Sequence, residues 1–97
     1  TYDTPPAKYG VLSNVSKSFI ANGSQINGTV KNSILGRDVI VSEGAVVENS
    51  VIFSGSYISE GTHLNNVVVD KEARILHAKE LEGTQEKPLY IKRGDIV

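Results

Sequence analysis

The sequence repeats itself. Asn32-Ser33-Ile34-Leu35 returns as Asn49-Ser50-Val51-Ile52, and Ser42-Glu43-Gly44 returns as Ser59-Glu60-Gly61, both at an offset of 17. Val30, Val41 and Val47 have counterparts in Val47, Ile58 and Leu64 at the same offset. A weaker third pass begins at Asn66-Val67-Val68-Val69. An earlier one, Ser18-Phe19-Ile20, precedes Ser33-Ile34-Leu35 at a shorter offset of 15. Self-similarity at a short fixed period marks a solenoid, whose units bury their apolar faces only by stacking on one another.

A shorter beat runs inside the repeat. Leu35, Val41, Val47 and Phe53 lie six apart, as do Ile20 and Ile26, and Ile58 and Leu64. The unit reads aliphatic–x–x–small–x–x, as in "VSEGAV", "VENSVI" and "ISEGTH". A helix would place apolar residues at i, i+3, i+4 and i+7. Short β-branched pieces split by Gly, Asn and Ser instead predict strands of a few residues joined by tight corners. Three six-residue sides make a triangular coil of about 18 residues, each side pairing in parallel with the next coil about 4.8 Å away. Leu35, Val41, Val47 and Phe53 are expected to point inward, with Tyr57 and Phe53 filling or capping the prism. A period of 17 implies one corner a residue short, and the shorter first offset implies a tighter first coil. Three full coils are expected from Ser18 to Val69, with a partial coil through Ile75.

The corners carry their own signals. Gly44 and Gly61 suit positive φ. Asn32, Asn49 and Asn66 fall in one register, and asparagine tolerates the left-handed region while its amide can bond the amide above. The three read as a structural ladder. Glu43 and Glu60 would stack one coil apart, and Asp38 sits at another corner. Like charges so placed are mildly unfavourable, and no functional role attaches to them.

Bulk properties narrow the classes. A chain of 97 residues allows one small domain, which needs regular stacking, a partner, or both. A net charge of −1 and a pI near 6.0 argue against a nucleic-acid footprint. Cysteine is absent, which excludes disulfides and thiolate metal sites. No apolar run approaches the roughly 20 residues of a membrane span, and no signal peptide is visible. A cytoplasmic location is the expectation. The opening Thr-Tyr-Asp-Thr-Pro-Pro and the lack of methionine suggest a piece of a longer protein. There is no G-x-G-x-x-G and no G-x-x-x-x-G-K-[ST], so no phosphate-cradling loop is encoded.

The hexad pattern resembles the left-handed parallel β-helix of hexapeptide-repeat proteins. The hand is implied by that resemblance, since general crossover rules predict the opposite. The segments "TPPAKY" (4–9), "SFIANGSQINGTVKNSILGRDVIVSEGAVVENSVI" (18–52) and "VVVDKEARI" (67–75) resemble the carboxy-terminal domain of bacterial glucose-1-phosphate adenylyltransferase, also called ADP-glucose pyrophosphorylase. The tail "KELEGTQEKPLYIKRGDIV" is most similar to the regulatory D-type subunit of glycogen biosynthesis. The expected layout is a linker over 1–12 from an amino-terminal nucleotidyltransferase domain, the β-helix over 13–76, and a tail over 77–97 with a short strand near 89–92.

The resemblance implies a function. In the family, ADP-glucose and pyrophosphate are made from ATP and glucose 1-phosphate with Mg²⁺ by the amino-terminal domain, which this chain lacks. This chain is expected to catalyse nothing and to serve in assembly and regulation. Its implied partners are its own catalytic domain and a homo- or hetero-oligomer with a catalytic subunit. A phosphorylated-sugar or phosphate regulator is also implied, and such an anion needs basic groups. Lys71 and Arg74, which match the family's "D-K-x-A-R-I", are candidates, with Lys92 and Arg93 of the terminal segment; a solvated charged face is the bland reading. Ile34, Ile40, Val46 and Ile52 are candidate outward aliphatics, for a subunit seam or for contact with the catalytic domain. The tail from Glu82 to Val97 is expected to cover one end, with Pro88 at the edge of the last strand.

Two other readings compete. A hexapeptide acyltransferase would use a histidine as general base on a long loop interrupting the coils. His63 and His77 are the only histidines, and the repeats run unbroken from Ser18 to Val69. His63 is expected at the surface, in the place Val46 holds one coil earlier. Two histidines so spaced do not suggest a three-histidine zinc site. A purely structural solenoid should show an outward array of one residue type, and the outward positions here are mixed.

Overall fold

The computed structural model describes residues 5–97. Thr4 of "TPPAKY" and the start of the expected linker lie outside the described residues. The described chain is all-β, with fifteen short strands in three parallel sheets and no helix. The first face stacks β1 (Lys8–Tyr9), β4 (Gln25–Ile26), β7 (Ile40–Val41), β10 (Tyr57–Ile58) and β13 (Arg74–Ile75). The second stacks β2 (Asn14–Ser16), β5 (Thr29–Lys31), β8 (Val46–Glu48), β11 (His63–Asn65) and β14 (Glu80–Glu82). The third stacks β3 (Phe19–Ile20), β6 (Ile34–Leu35), β9 (Val51–Ile52), β12 (Val67–Val69) and β15 (Leu89–Ile91). Consecutive strands fall on successive faces, so the chain winds as the β-solenoid the repeat predicts.

The register explains the period. Ile40 pairs with Tyr57, Val46 with His63 and Val51 with Val68, all at an offset of 17. The interior is built of columns: Ile26, Val41, Ile58 and Ile75 from the first face, Val30, Val47 and Leu64 from the second, and Leu35, Ile52, Val69 and Ile91 from the third. The step from Val47 to Ile52 is five rather than six, because the corner between the second and third faces turns in a single left-handed residue. Those residues are Asn32, Asn49 and Asn66, at φ of 49°, 51° and 57°, with Lys17 in the first coil.

This corner corrects two sequence expectations. Ile52 is buried, not outward. Phe53 is 41% exposed and lies outside the prism. A strict six-residue beat carried from Val47 to the wrong residue. Tyr57, too, is no filler: it alternates with buried Ile58 on β10 and is half-buried on the outer side.

Serines beside the asparagines complete the turn. Ser33 Oγ donates to Lys31 O at 2.8 Å and accepts from the Ser50 N–H at 3.1 Å. Ser50 Oγ donates to Glu48 O at 2.7 Å and accepts from the Val67 N–H at 3.1 Å. Each hydroxyl closes its own corner and ties it to the next coil, which is why "Asn-Ser" recurs. Ser50 is buried. Ser50→Ala strands the Val67 N–H, while Glu48 O keeps its bond from the Asn66 N–H, so a loss of about 1–3 kcal/mol is expected in denaturant unfolding. Ser54, half-buried at a different corner, does not close an Asn-Ser turn and should tolerate alanine better.

The short step lies in the second coil. Asn14 pairs with Thr29 and Gln25 with Ile40 at an offset of 15, whereas Thr29 pairs with Val46 at an offset of 17. The missing pair belongs to the corner between β4 and β5, reduced to Asn27-Gly28. A Cβ on Gly28 would lie 2.4 Å from Ala45 O and 2.8 Å from Ser42 O, so space rather than φ demands glycine there.

The solenoid also extends past both expected limits. β1 pairs with β4, so the first coil begins at Lys8, inside the expected linker. β14 and β15 pair with β11 and β12, so most of the expected tail is a last coil. Val67 pairs with Leu89 at an offset of 22, and the surplus forms an arm over 83–88 closed by Thr84 N–H to Lys87 O at 3.1 Å. Past β15, Ile96 bridges Arg74, and Val97 O accepts from the N–H groups of Leu76 and His77, both at 2.9 Å. The chain's last residues thus cover the first face of that end, while β14 and β15 remain the edges of their sheets.

Candidate functional site

The asparagine register is a bonded run. Asn32 Nδ2 donates to Asn49 Oδ1 at 2.7 Å, and Asn49 Nδ2 donates to Asn65 Oδ1 at 3.0 Å. Asn66 keeps the corner conformation, but its amide turns sideways to Asn65 Oδ1 at 3.2 Å. Asn65 therefore takes the rung expected of Asn66, because it stands above Glu48 on the second face and reaches the same corner.

The four candidate basic residues lie around the corner leading from the third face to the first. Lys71 O accepts from the Gly94 N–H at 2.9 Å, which sets Arg93 one coil above Lys71. Arg74 follows on β13, and Lys92 directly follows β15. All four are exposed. Acidic groups share the corner: Arg93 Nη2 lies 3.8 Å from Glu72 Oε1, and both side chains are 69% exposed. An exposed pair of this kind contributes little stability, but it offsets the positive field an anion would need.

Asp70 is the most tightly held acid there. The Tyr90 hydroxyl donates to its Oδ2, and the Lys71 N–H donates to its Oδ1 at 2.7 Å. The Tyr90 bond first, then the backbone bond, hold the Asp70 carboxyl below its ordinary value, with the Lys71 and Arg93 charges assisting. The same bond raises the Tyr90 hydroxyl. The two shifts imply opposite limbs. The Asp70 contribution is present above the ordinary carboxylate pKa and fades as pH falls through its lowered folded value. The Tyr90 contribution is present below the ordinary tyrosine pKa and fades as pH rises through its raised folded value. Tyr90→Phe should therefore flatten both limbs of a melting-temperature profile against pH; parallel profiles for the two proteins would contradict the pairing.

The outward aliphatics do not form one row. Ile34 is exposed on the third face, Ile40 half-buried on the first and Val46 half-buried on the second, while Ile52 is buried in the core. Exposed apolar area gathers instead in the first coil. Val11 is 101% and Leu12 66% exposed at the turn between β1 and β2, and Tyr9 is 54% exposed beside them. Val11 and Leu12 stand where later coils carry Glu43-Gly44 and Glu60-Gly61, each corner closed by the same kind of bond (Ser13 N–H to Gly10 O at 3.0 Å, Ala45 N–H to Ser42 O at 3.1 Å). That substitution was the available signal, and it is visible only once the first coil is aligned.

His63 is exposed, with Nε2 2.9 Å from Glu48 Oε1. Glu80 stands one coil above it. His77 is exposed and offers its backbone N–H to Val97 O. Among the described residues no three His, Asp or Glu side chains gather where one cation could bind.

Comparison with known proteins matches this architecture. Residues 5–87 match the family model described as GlmU-like, C-terminal hexapeptide. The chain is 51% identical over 92 residues to the glycogen biosynthesis protein GlgD of Bacillus subtilis (strain 168), covering 95% of this chain and 27% of that protein. It is 49% identical over 94 residues to GlgD of Geobacillus stearothermophilus, covering 97% of this chain and 27% of that protein. The chain thus spans about a quarter of the length of these curated relatives. With its three stacked sheets and its six-six-five corner rhythm, it belongs to the GlmU-like carboxy-terminal hexapeptide family.

Proposed function

We infer that this chain is a non-catalytic assembly and regulatory domain of a glucose-1-phosphate adenylyltransferase-type protein serving glycogen biosynthesis. The relatives that match nearly all of it are named for glycogen biosynthesis. The observation that carries the assembly role is the gathering of exposed apolar side chains at the first-coil end. At the other end Ile96 and Val97 cover only the first face, and β14 and β15 end their sheets. The first coil offers unpaired strand edges beside Tyr9, Val11 and Leu12, among the described residues. Open strand edges with exposed apolar groups favour pairing with another surface. On this reading the first-coil end meets the protein's own catalytic domain or a neighbouring subunit. A phosphorylated regulator would use Lys71 and Arg93, with Arg74 and Lys92 at hand, and a cytoplasmic setting goes with that metabolism.

The test is Val11→Asp combined with Leu12→Asp. Both side chains are exposed, so the melting temperature should stay close to that of the parent chain. Self-association in sedimentation should be lost. Unchanged association in a folded variant would contradict the assignment of this end. Incubation of the parent chain with ATP, Mg²⁺ and glucose 1-phosphate should yield no ADP-glucose, and measurable turnover would contradict the non-catalytic reading.

A further inference from the structure

A second feature starts on the third face of that first coil and runs toward the arm. An open groove of about 1020 Å³ runs along the third face beside the asparagine corner. Its floor is the outward column Phe19, Ile34, Val51 and Val68, which the strand register places one above another. Three coil steps make this floor about 14 Å long. One side is lined by Asn32, Asn49 and Asn66, and the arm over 83–88 contributes Gln85 and Pro88.

We propose that this groove is a binding site for a neutral oligosaccharide. Three observations converge on that class. Among the described residues Lys17 is the one charged residue lining the groove, so the lining offers no counter-charge pattern for an ionic ligand. The floor is apolar and carries an aromatic ring, Phe19, which is 65% exposed. A sugar ring presents a C–H face to such a surface, and an aromatic side chain is a large, rigid apolar platform. The side is amide-rich. A carboxamide has two N–H donors and two lone pairs. The bonds along the ladder occupy one N–H and one lone pair of Asn49. Its remaining donor and acceptor suit the hydroxyls of a sugar, each of which both donates and accepts. The groove is open rather than enclosed, which fits a chain of sugars better than a single one.

The proposal does not depend on the assembly reading. Only the choice of an α-1,4-linked probe leans on the glycogen connection. Maltoheptaose, and cellohexaose as its β-linked counterpart, would be titrated into isotope-labelled protein while the side-chain amide signals of Asn32, Asn49 and Gln85 are followed by NMR. Saturable shifts of these amides are expected with maltoheptaose. Phe19→Ala should weaken binding about fivefold to tenfold and leave the fold unchanged, as judged by its backbone spectrum. Saturable binding of cellohexaose alone at the same amides would still support the groove and would show that the glycogen connection misled the choice of linkage. No saturable shift with either sugar, or binding that Phe19→Ala leaves intact, would overturn the proposal.

Discussion

Gly28→Ala is expected to lower the unfolding free energy by about 3 kcal/mol, because the added methyl overpacks a site where backbone rather than a flexible side chain must give way. The methyl would sit 2.4 Å from Ala45 O and 2.8 Å from Ser42 O. Ala45 O already accepts the Thr29 N–H at 2.8 Å, so relief by movement breaks a bond between the second and third coils. Gly44 is the control. It has φ of 79°, and a Cβ there would find its nearest atom at 3.7 Å. Gly44→Asn should therefore be mild, since asparagine accepts the left-handed region, whereas Gly28→Asn should be at least as damaging as alanine. Equal costs for asparagine at the two positions would contradict the view that space, not φ, selects Gly28.

The second large effect separates two adjacent residues. Ile52→Ala should cost about 2–5 kcal/mol, the usual range for emptying a buried aliphatic site. Ile52 is 1% exposed, between Leu35 and Val69 in its interior column. Phe53→Ala, one residue on and 41% exposed, should cost less than half as much despite removing a larger side chain. Denaturant unfolding with the slope held constant measures both. If Phe53 proved the costlier of the two, the step from Val47 would be six residues and the column assignment would fail.

That pair also shows what the sequence made legible. The repeat announced a solenoid, its period and one short corner, because stacking leaves the same demand at the same place in every coil. It did not say which corner was short. The beat from Leu35 through Val41 to Val47 is uniform, and only the left-handed turn at Asn49 places Ile52 inside. The first coil was illegible for a related reason. Lys17 keeps the left-handed turn where later coils carry asparagine, whereas Val11-Leu12 replaces Glu-Gly and keeps the closing bond without a left-handed residue. The last coil was hidden by the arm over 83–88, which displaces its third strand from the period kept by the coils below.

The candidate surfaces were less legible than the fold. Ile34, Ile40 and Val46 look alike in sequence but face three directions, since a step of six carries the chain to the next side of the triangle. Lys71 and Arg93 are far apart in sequence and one coil apart in space, because β15 closes over β12. Phe19 joins Ile34 in one outward column only through the shortened register between β3 and β6.

The most direct test of the assembly account is the native mass of the 97-residue chain, measured by light scattering over a wide range of concentrations. The account predicts a discrete dimer or larger species, held through the first-coil end. A clean monomer of 10.4 kDa at every concentration would contradict self-assembly of this domain.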